Sequence, residues 1–164
     1  MIKTDMTRLA LSIAMRAHEG QVDRAGNPYY LHPLWVADHA INGNAEEDVA
    51  CAALLHDVLE DTDYSAAQLE AEGFNRNVMH ALRLLTHIPP SGLAPEETEA
   101  DYLDYVRRIR KDNGIARWVK LADLRHNSDL SRLPASERTT PQTLARLATY
   151  CKAFAILEEA SLAK

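Results

Sequence analysis

Residues 54–63 read LLHDVLEDTD, and this stretch decides how the rest of the chain is read. An apolar run ends abruptly at His56 and Asp57, resumes for two residues, and then meets Glu60, Asp61 and Asp63. Upstream, Val49 to Leu55 is nearly all apolar, so the sequence predicts a third helix from about Glu46 to Leu59, central in the fold and covered on most sides. On such a helix His56 and Glu60 lie four apart, as do Asp57 and Asp61. Two adjacent rows of ligand-type side chains then point to one side of its end. Burying so many carboxylates beside an apolar helix is costly unless something positive compensates, and a divalent cation does so more completely than one lysine. Acidic residues beyond a helix end are also common in turns, and Asp61-Thr62-Asp63 alone would serve to cap a following helix.

Outward from this stretch, helical periodicity dominates. Leu9, Ala10, Ile13, Ala14 and Ala17 form one face of a first helix, which Gly20 and the polar run after it terminate. Pro33 suits the first turn of a second helix whose buried stripe is Val36, Ala37, Ala40 and Ile41, which sets His32 near its cap. Ser65 and Gln68 have capping-box spacing and Gly73 offers a left-handed stop, bracketing a short helix. Further helices are predicted over about 76–87, over 96–111 up to Asn113-Gly114, and over 115–127 with Ile115, Trp118, Val119, Leu121 and Ala122 on its apolar face. Thr140-Pro141 opens a last one, with Leu144, Leu147, Ala148, Cys151, Phe154, Ala155 and Leu157 inward. Strand signals are absent apart from a few residues around Tyr29-Tyr30. The prediction is an all-α fold of about eight helices.

With 164 residues the chain fits one domain, 1–164, large enough to close a core without staples. The net charge of -6 argues against broad nucleic-acid binding, which needs a basic surface. Cys51 and Cys151 fall on predicted apolar faces with no CxxC spacing and read as reduced core residues of a cytoplasmic protein. The N-terminus lacks an uninterrupted signal-peptide core, and no apolar run approaches the ~20 residues of a membrane span, so no membrane is expected. A monomer and a homo-oligomer are equally allowed.

A second segment, VKLADLRHNSDL at 119–130, again breaks a core-facing pattern with a carboxylate, Asp123, followed by His126 and Asn127. A third, HEGQVDRAGNPYYLHP at 18–33, precedes both. Together the three resemble the HD-domain superfamily and, within it, the alarmone hydrolases related to RelA/SpoT proteins and the metazoan SpoT homologues. In that branch the order is H-x-GQ, a basic loop, G-x-PY, HP, HDxxED, then D-x-x-HN. The resemblance covers roughly residues 8–135, and the ED pair separates this branch from nucleotidase-type HD proteins.

The resemblance implies that His32, His56, Asp57 and Asp123 ligate a metal, manganese in that family. The donor types alone, two imidazoles and two carboxylates with room for water, suit manganese, iron or cobalt and match no tetrahedral structural zinc pattern. Such an ion makes a nucleophile from water and screens a phosphate's charge, so phosphoester hydrolysis follows. Glu60 and Asp61 are the family's ED pair, expected to orient the water and accept its proton. The implied reaction removes the 3′-pyrophosphate of ppGpp or pppGpp to give GDP or GTP. Nothing in the 164 residues resembles a synthetase, so hydrolysis is the only nucleotide chemistry expected.

For substrate binding, Arg24 matches a basic loop position that meets the base, and Asn127 matches an asparagine near the ribose. The family's preceding position, usually basic, is Asp23 here. That removes a positive charge from the base pocket and keeps an adenine alarmone such as ppApp as an alternative. Arg107, with Arg110 and Lys111 on one helix face, is a candidate for a polyphosphate, although such runs also simply complement a helix dipole. His126 is expected to pack rather than ligate, and His18 either orients the GQ loop or partners its helix end. One of Tyr29 and Tyr30 lines the cleft at most, core packing being the simpler role for each. His39, His80 and His87 match no motif and read as surface or packing residues. Two further readings stand beside the alarmone hydrolase. One is a phosphatase of another nucleotide such as NADPH or a nucleoside monophosphate, and the other a nucleotide-sensing module without catalysis.

Overall fold

The computed structural model describes residues 2–40, 47–112 and 114–159; Ile41, Glu46 and Asn113, named above, lie outside the described residues. The described helices are α1 (Asp5–Ala17), α2 (Leu31–Ala40), α3 (Glu47–Leu55), α4 (Val58–Asp61), α5 (Ala66–Ala71), α6 (Arg76–Leu85), α7 (Pro95–Asp112), α8 (Gly114–Ser128) and α9 (Pro141–Glu158). Two short 3-10 turns, Leu130–Arg132 and Ala135–Glu137, connect α8 to α9. Among the described residues there is no strand, and an isolated antiparallel bridge joins Val22 to Pro28, close to where the sequence hinted at extended chain. The fold is all-α, as predicted.

Local chemistry fixes most helix ends. Thr4 and Thr7, and likewise Ser65 and Gln68, cap α1 and α5 reciprocally, while Asn75 and Thr140 accept from the first-turn amides of α6 and α9. Gly73 takes φ +92°, a conformation without steric cost only for glycine, just after α5 stops. α3 is the axis of the core. All seven residues from Val49 to Leu55 are buried, and α1, α2, α6 and α8 pack around it. Leu54 and Leu55 are fully buried, each contributing about 1.5–3 kcal/mol over an exposed side chain.

The predicted third helix is in fact two segments, and this accounts for nine α-helices among the described residues where about eight were expected. α3 stops at Leu55 because the His56 ring donates through Nδ1 to the Ala53 carbonyl at 2.8 Å, the acceptor that an unbroken helix would give to the amide of Asp57. The chain turns at His56-Asp57, and α4 restarts with the Asp61 amide donating to the Asp57 carbonyl at 2.9 Å. His56 and Glu60 therefore do not stand in one row.

Three expectations about faces are corrected. On α9 the buried positions are Thr143, Ala153 and Leu157, whereas Leu144, Ala148, Cys151 and Ala155 face outward. The helix packs on α7 and α8 through a side offset from the leucine-rich one. Cys151 is thus exposed, and only Cys51 is a core thiol, pushed up to about 12 by burial and by Glu47 and Asp48. Trp118 is 36% exposed, with the Arg117 guanidinium 5.6 Å from its ring, while Ala116, Val119, Leu121, Ala122 and Leu124 are the buried apolar residues of α8. Among the described residues no helix is long and apolar enough to cross a membrane.

Candidate active site

Three elements converge at the end of α3. His32 comes from the first turn of α2, His56 and Asp57 from the turn between α3 and α4, and Asp123 from α8. His32 Nε2 lies 3.2 Å from Asp123 Oδ1 and 3.5 Å from Asp57 Oδ2, and His56 Nε2 lies 3.2 Å from Asp57 Oδ1 and 3.8 Å from Asp123 Oδ1. Donor atoms of His32, His56 and Asp57 all fall within 4.8 Å of one another. The four residues proposed as ligands from the sequence do meet.

Each is held by a partner outside the set. His56 uses Nδ1 on the Ala53 carbonyl, which points Nε2 into the cluster, where it is buried and makes no hydrogen bond. His32 Nδ1 meets His126 Nδ1 at 2.5 Å, and the two rings stack with centroids 4.8 Å apart. Burial and the neighbouring His32 push His126 down to about 3, so it is neutral and accepts the His32 Nδ1–H. Tyr29 donates its hydroxyl to Asp57 Oδ2 at 2.8 Å. Asp123 accepts from Lys120 Nζ at 2.8 Å on Oδ2 and from Asn127 Nδ2 at 2.5 Å on Oδ1.

This arrangement fits a divalent cation. An imidazole that donates one N–H to a carbonyl and aims its other nitrogen, unpartnered, among carboxylates is the usual form of a ligating histidine. Burial alone disfavours the His56 imidazolium, yet Asp57 and Asp123 prevail and raise it to about 9. Burial alone would likewise raise Asp123, but Lys120 and the two imidazoles hold it well below the usual carboxylate range. Asp57 and Asp123 thus favour positive charge at His56 Nε2, where a cation can take the place of the proton.

Glu60 and Asp61 sit on α4, one turn beyond the ligands. Both are reached by solvent on one side and backed by protein on the other, and burial together with the Asp57 charge moves both carboxyls upward. A carboxyl shifted upward holds a proton more readily than a free one, which suits it to take a proton from water. Glu60 Oε2 accepts from the amide of His87 at 2.9 Å. Gln21 donates to the Asp61 carbonyl at 3.0 Å and is itself bonded to His18 Nδ1 at 2.8 Å, so His18 does orient the GQ loop.

Beside the cluster opens a cavity of about 340 Å³ whose walls include Arg24, Tyr29, His32, Asn127, Arg132 and Arg146. Two of the three substrate-binding candidates, Arg24 and Asn127, therefore face it. Arg107 does not: its guanidinium pairs with Asp104 one turn back on α7, and Arg110 pairs with Glu159. Asp23 has its carboxylate turned into its own loop, accepting from the amides of Ala25 and Asn27 at 2.9 Å and from Arg132 at 3.5 Å. The charge it takes from the pocket is thereby offset.

Sequence reasoning missed several residues. By sequence Tyr29 reads as a packing residue, although its place three before His32 in a turn carries it to Asp57. Lys120 lies three before Asp123 and so shares its helix face, a signal that the sequence does carry. His87 holds Glu60 through its amide and pairs with Asp101 at 2.7 Å. Arg132 and Arg146 carry no local signal: Arg132 reaches the cavity from the 3-10 turn after α8, and Arg146 only through the return of α9.

The family described as HD domain matches residues 10–149. A guanosine-3′,5′-bis(diphosphate) 3′-pyrophosphohydrolase of Haemophilus influenzae is 47% identical over 117 residues, 70% of this chain and 17% of its own length. A GTP pyrophosphokinase of Myxococcus xanthus is 30% identical over 128 residues, 75% of this chain and 17% of its own length. The chain thus spans less than a fifth of either relative. A solved structure described as "A metazoan ortholog of SpoT hydrolyzes ppGpp and plays a role in starvation responses" superposes with a TM-score of 0.67, covering 98% of this chain and 96% of that one. At 23% identity that likeness concerns the fold.

Proposed function

The chain belongs to the HD domain family, and from that premise we propose that it is a metal-dependent hydrolase removing the 3′-pyrophosphate of ppGpp and pppGpp. One observation carries the reading: the buried, unpartnered His56 Nε2, aimed among Asp57, Asp123 and His32 beside the raised carboxyls of Glu60 and Asp61. The two relatives bear names of opposite reactions, synthesis and hydrolysis. Carboxyls able to take a proton from water, next to a cation site, favour hydrolysis.

His32, His56, Asp57 and Asp123 would hold the ion, and their mixed nitrogen and oxygen set suits manganese. Such an ion supplies a water of lowered pKa and charge neutralisation at the phosphate. Glu60 and Asp61 orient the attacking water and accept its proton. Water oxygen adds to the phosphorus bonded to the 3′-oxygen, the bond from phosphorus to that oxygen breaks, and the 3′-oxygen leaves with a proton. The products are pyrophosphate and GDP or GTP. Asn127, with Nδ2 committed to Asp123, offers its carbonyl to the ribose. Arg24 meets the base, and Arg146 and Arg132 supply positive charge along the cavity.

The test incubates purified protein and Mn²⁺ with ppGpp, ppApp and NADPH and resolves the products. Pyrophosphate released from ppGpp is the expected result. Inorganic phosphate alone, or turnover of NADPH only, would move the chain to another phosphatase class, and no turnover at all would reject catalysis.

A further inference from the structure

Lys120 is a largely buried cation that the proposed chemistry does not use. It stands one turn before Asp123 on α8 with its side chain 12% exposed, and it does not line the cavity. Its ammonium lies 5.3 Å from the ring centre of Tyr105 and 5.5 Å from that of Tyr102. The carboxylate it meets is that of Asp123, at 2.8 Å.

The two oxygens of Asp123 are divided by this contact. Oδ2 is taken by the ammonium, while Oδ1 faces both imidazole Nε2 atoms and accepts from Asn127. With Oδ2 engaged, Asp123 presents one oxygen, not two, to whatever occupies the cluster. Charge gives a second consequence. Asp57 and Asp123 approach the same two imidazoles in a largely dry setting, and carboxylates brought together there repel unless positive charge stands near. A bound divalent ion supplies it in the loaded protein. In the metal-free protein Lys120 is a cation fixed there by packing, beside His56, whose charged form Asp57 and Asp123 favour.

We propose that Lys120 is a positioning residue, a resident counter-cation that aims one oxygen of Asp123 at the cation site and lets the centre stand assembled before an ion arrives. The proposal rests on reading the cluster as a cation site. It distinguishes Lys120 from a lysine that merely fills space, because packing is lost equally with and without metal, whereas a counter-cation matters most when the ion is gone.

Melting temperatures of the full chain and of Lys120→Met, each stripped with chelator and each with excess Mn²⁺, separate the two roles. Metal-free Lys120→Met should melt roughly 10 °C below the unmodified protein, the scale of breaking a buried ion pair. The loaded forms should differ by less than about half of that, so the rise on adding Mn²⁺ is larger in the variant. An equal loss in both states, or none in either, would overturn the role of Lys120 while leaving the cation site standing. No Mn²⁺-induced rise in the unmodified protein would overturn both. If Lys120→Met folds in neither condition, the double variant Lys120→Met/Asp123→Asn, which replaces the pair by two neutral side chains, should fold metal-free; its failure to do so would also overturn the proposal.

Discussion

Asp123 and His32 have side chains 5% and 4% exposed and meet at 3.2 Å, whereas Arg24, on the rim of the adjoining cavity, reaches Glu137 only at 3.9 Å with both side chains about half in water. The first pair projects from two helices packed together, α2 and α8. The second spans a loop and a 3-10 turn. Each cluster residue is also held by a neighbour that is not itself a donor to the ion: His126, Ala53, Tyr29 or Lys120. The centre is therefore set before a substrate arrives, while the rim has latitude to adjust to it, and substitutions in the two regions should differ in kind as well as in size.

The sharpest contrast comes from the cluster itself. Asp57→Asn should lower kcat by roughly 10³-fold or more, since a lost ligand removes several kcal/mol of transition-state stabilisation, and should abolish the Mn²⁺-induced rise in melting temperature. A variant retaining both would show that the cluster is no cation centre. Next in size is a pH effect confined to the centre. His56 is raised from 6.5 to about 9 in the folded, metal-free protein, so its contribution is fully present below pH 6.5 and is lost as pH rises through 9. Chelator-treated protein should lose roughly 5–10 °C of melting temperature across that window, and the rise on adding Mn²⁺ should grow over the same range because a ligating imidazole must be unprotonated. A flat profile in both conditions would contradict the placement of His56.

Tyr29→Phe removes one hydroxyl and nothing else from the support of Asp57. About 10- to 100-fold weaker Mn²⁺ binding by titration is expected, with the fold intact by circular dichroism. The smallest effects belong to the rim and beyond. Arg24→Ala should raise KM about tenfold with kcat nearly unchanged, as expected for binding shared by ground and transition states. Arg107→Ala, already paired with Asp104 on the outer side of α7, should leave both constants within about twofold. A collapse of kcat in Arg24→Ala would erase the contrast between the two regions.

The same contrast governs what the sequence could disclose. Charged and imidazole side chains interrupting apolar helices at His56-Asp57 and Asp123 were legible because such interruptions have few physical explanations. Caps at Ser65 and Thr140 were legible because their chemistry is local. The break after Leu55 was not, since it depends on the His56 ring taking the Ala53 carbonyl, a choice that hydrophobic spacing does not encode. α9 misled for a different reason: apolar residues are spread around much of its circumference, and the side that packs carries Thr143 and Ala153 in place of the larger leucine at 144. Lys120 was hidden by the usual habit of lysine to reach water. Arg146 has meaning only once α9 has returned to the cavity, and Arg132 only once the turn after α8 has settled against it.

Gln21 links the loop after α1 to the carbonyl of Asp61, forty positions later, and the His32–His126 contact closes a span of ninety-four. Contacts so remote in sequence form only after the intervening loops have closed. A nascent chain with α1 to α3 docked but α8 still loose has two imidazoles and an aspartate near each other and no fourth donor. Competence at this centre thus reports completed topology: the polypeptide acquires its chemistry in the same event that finishes its folding.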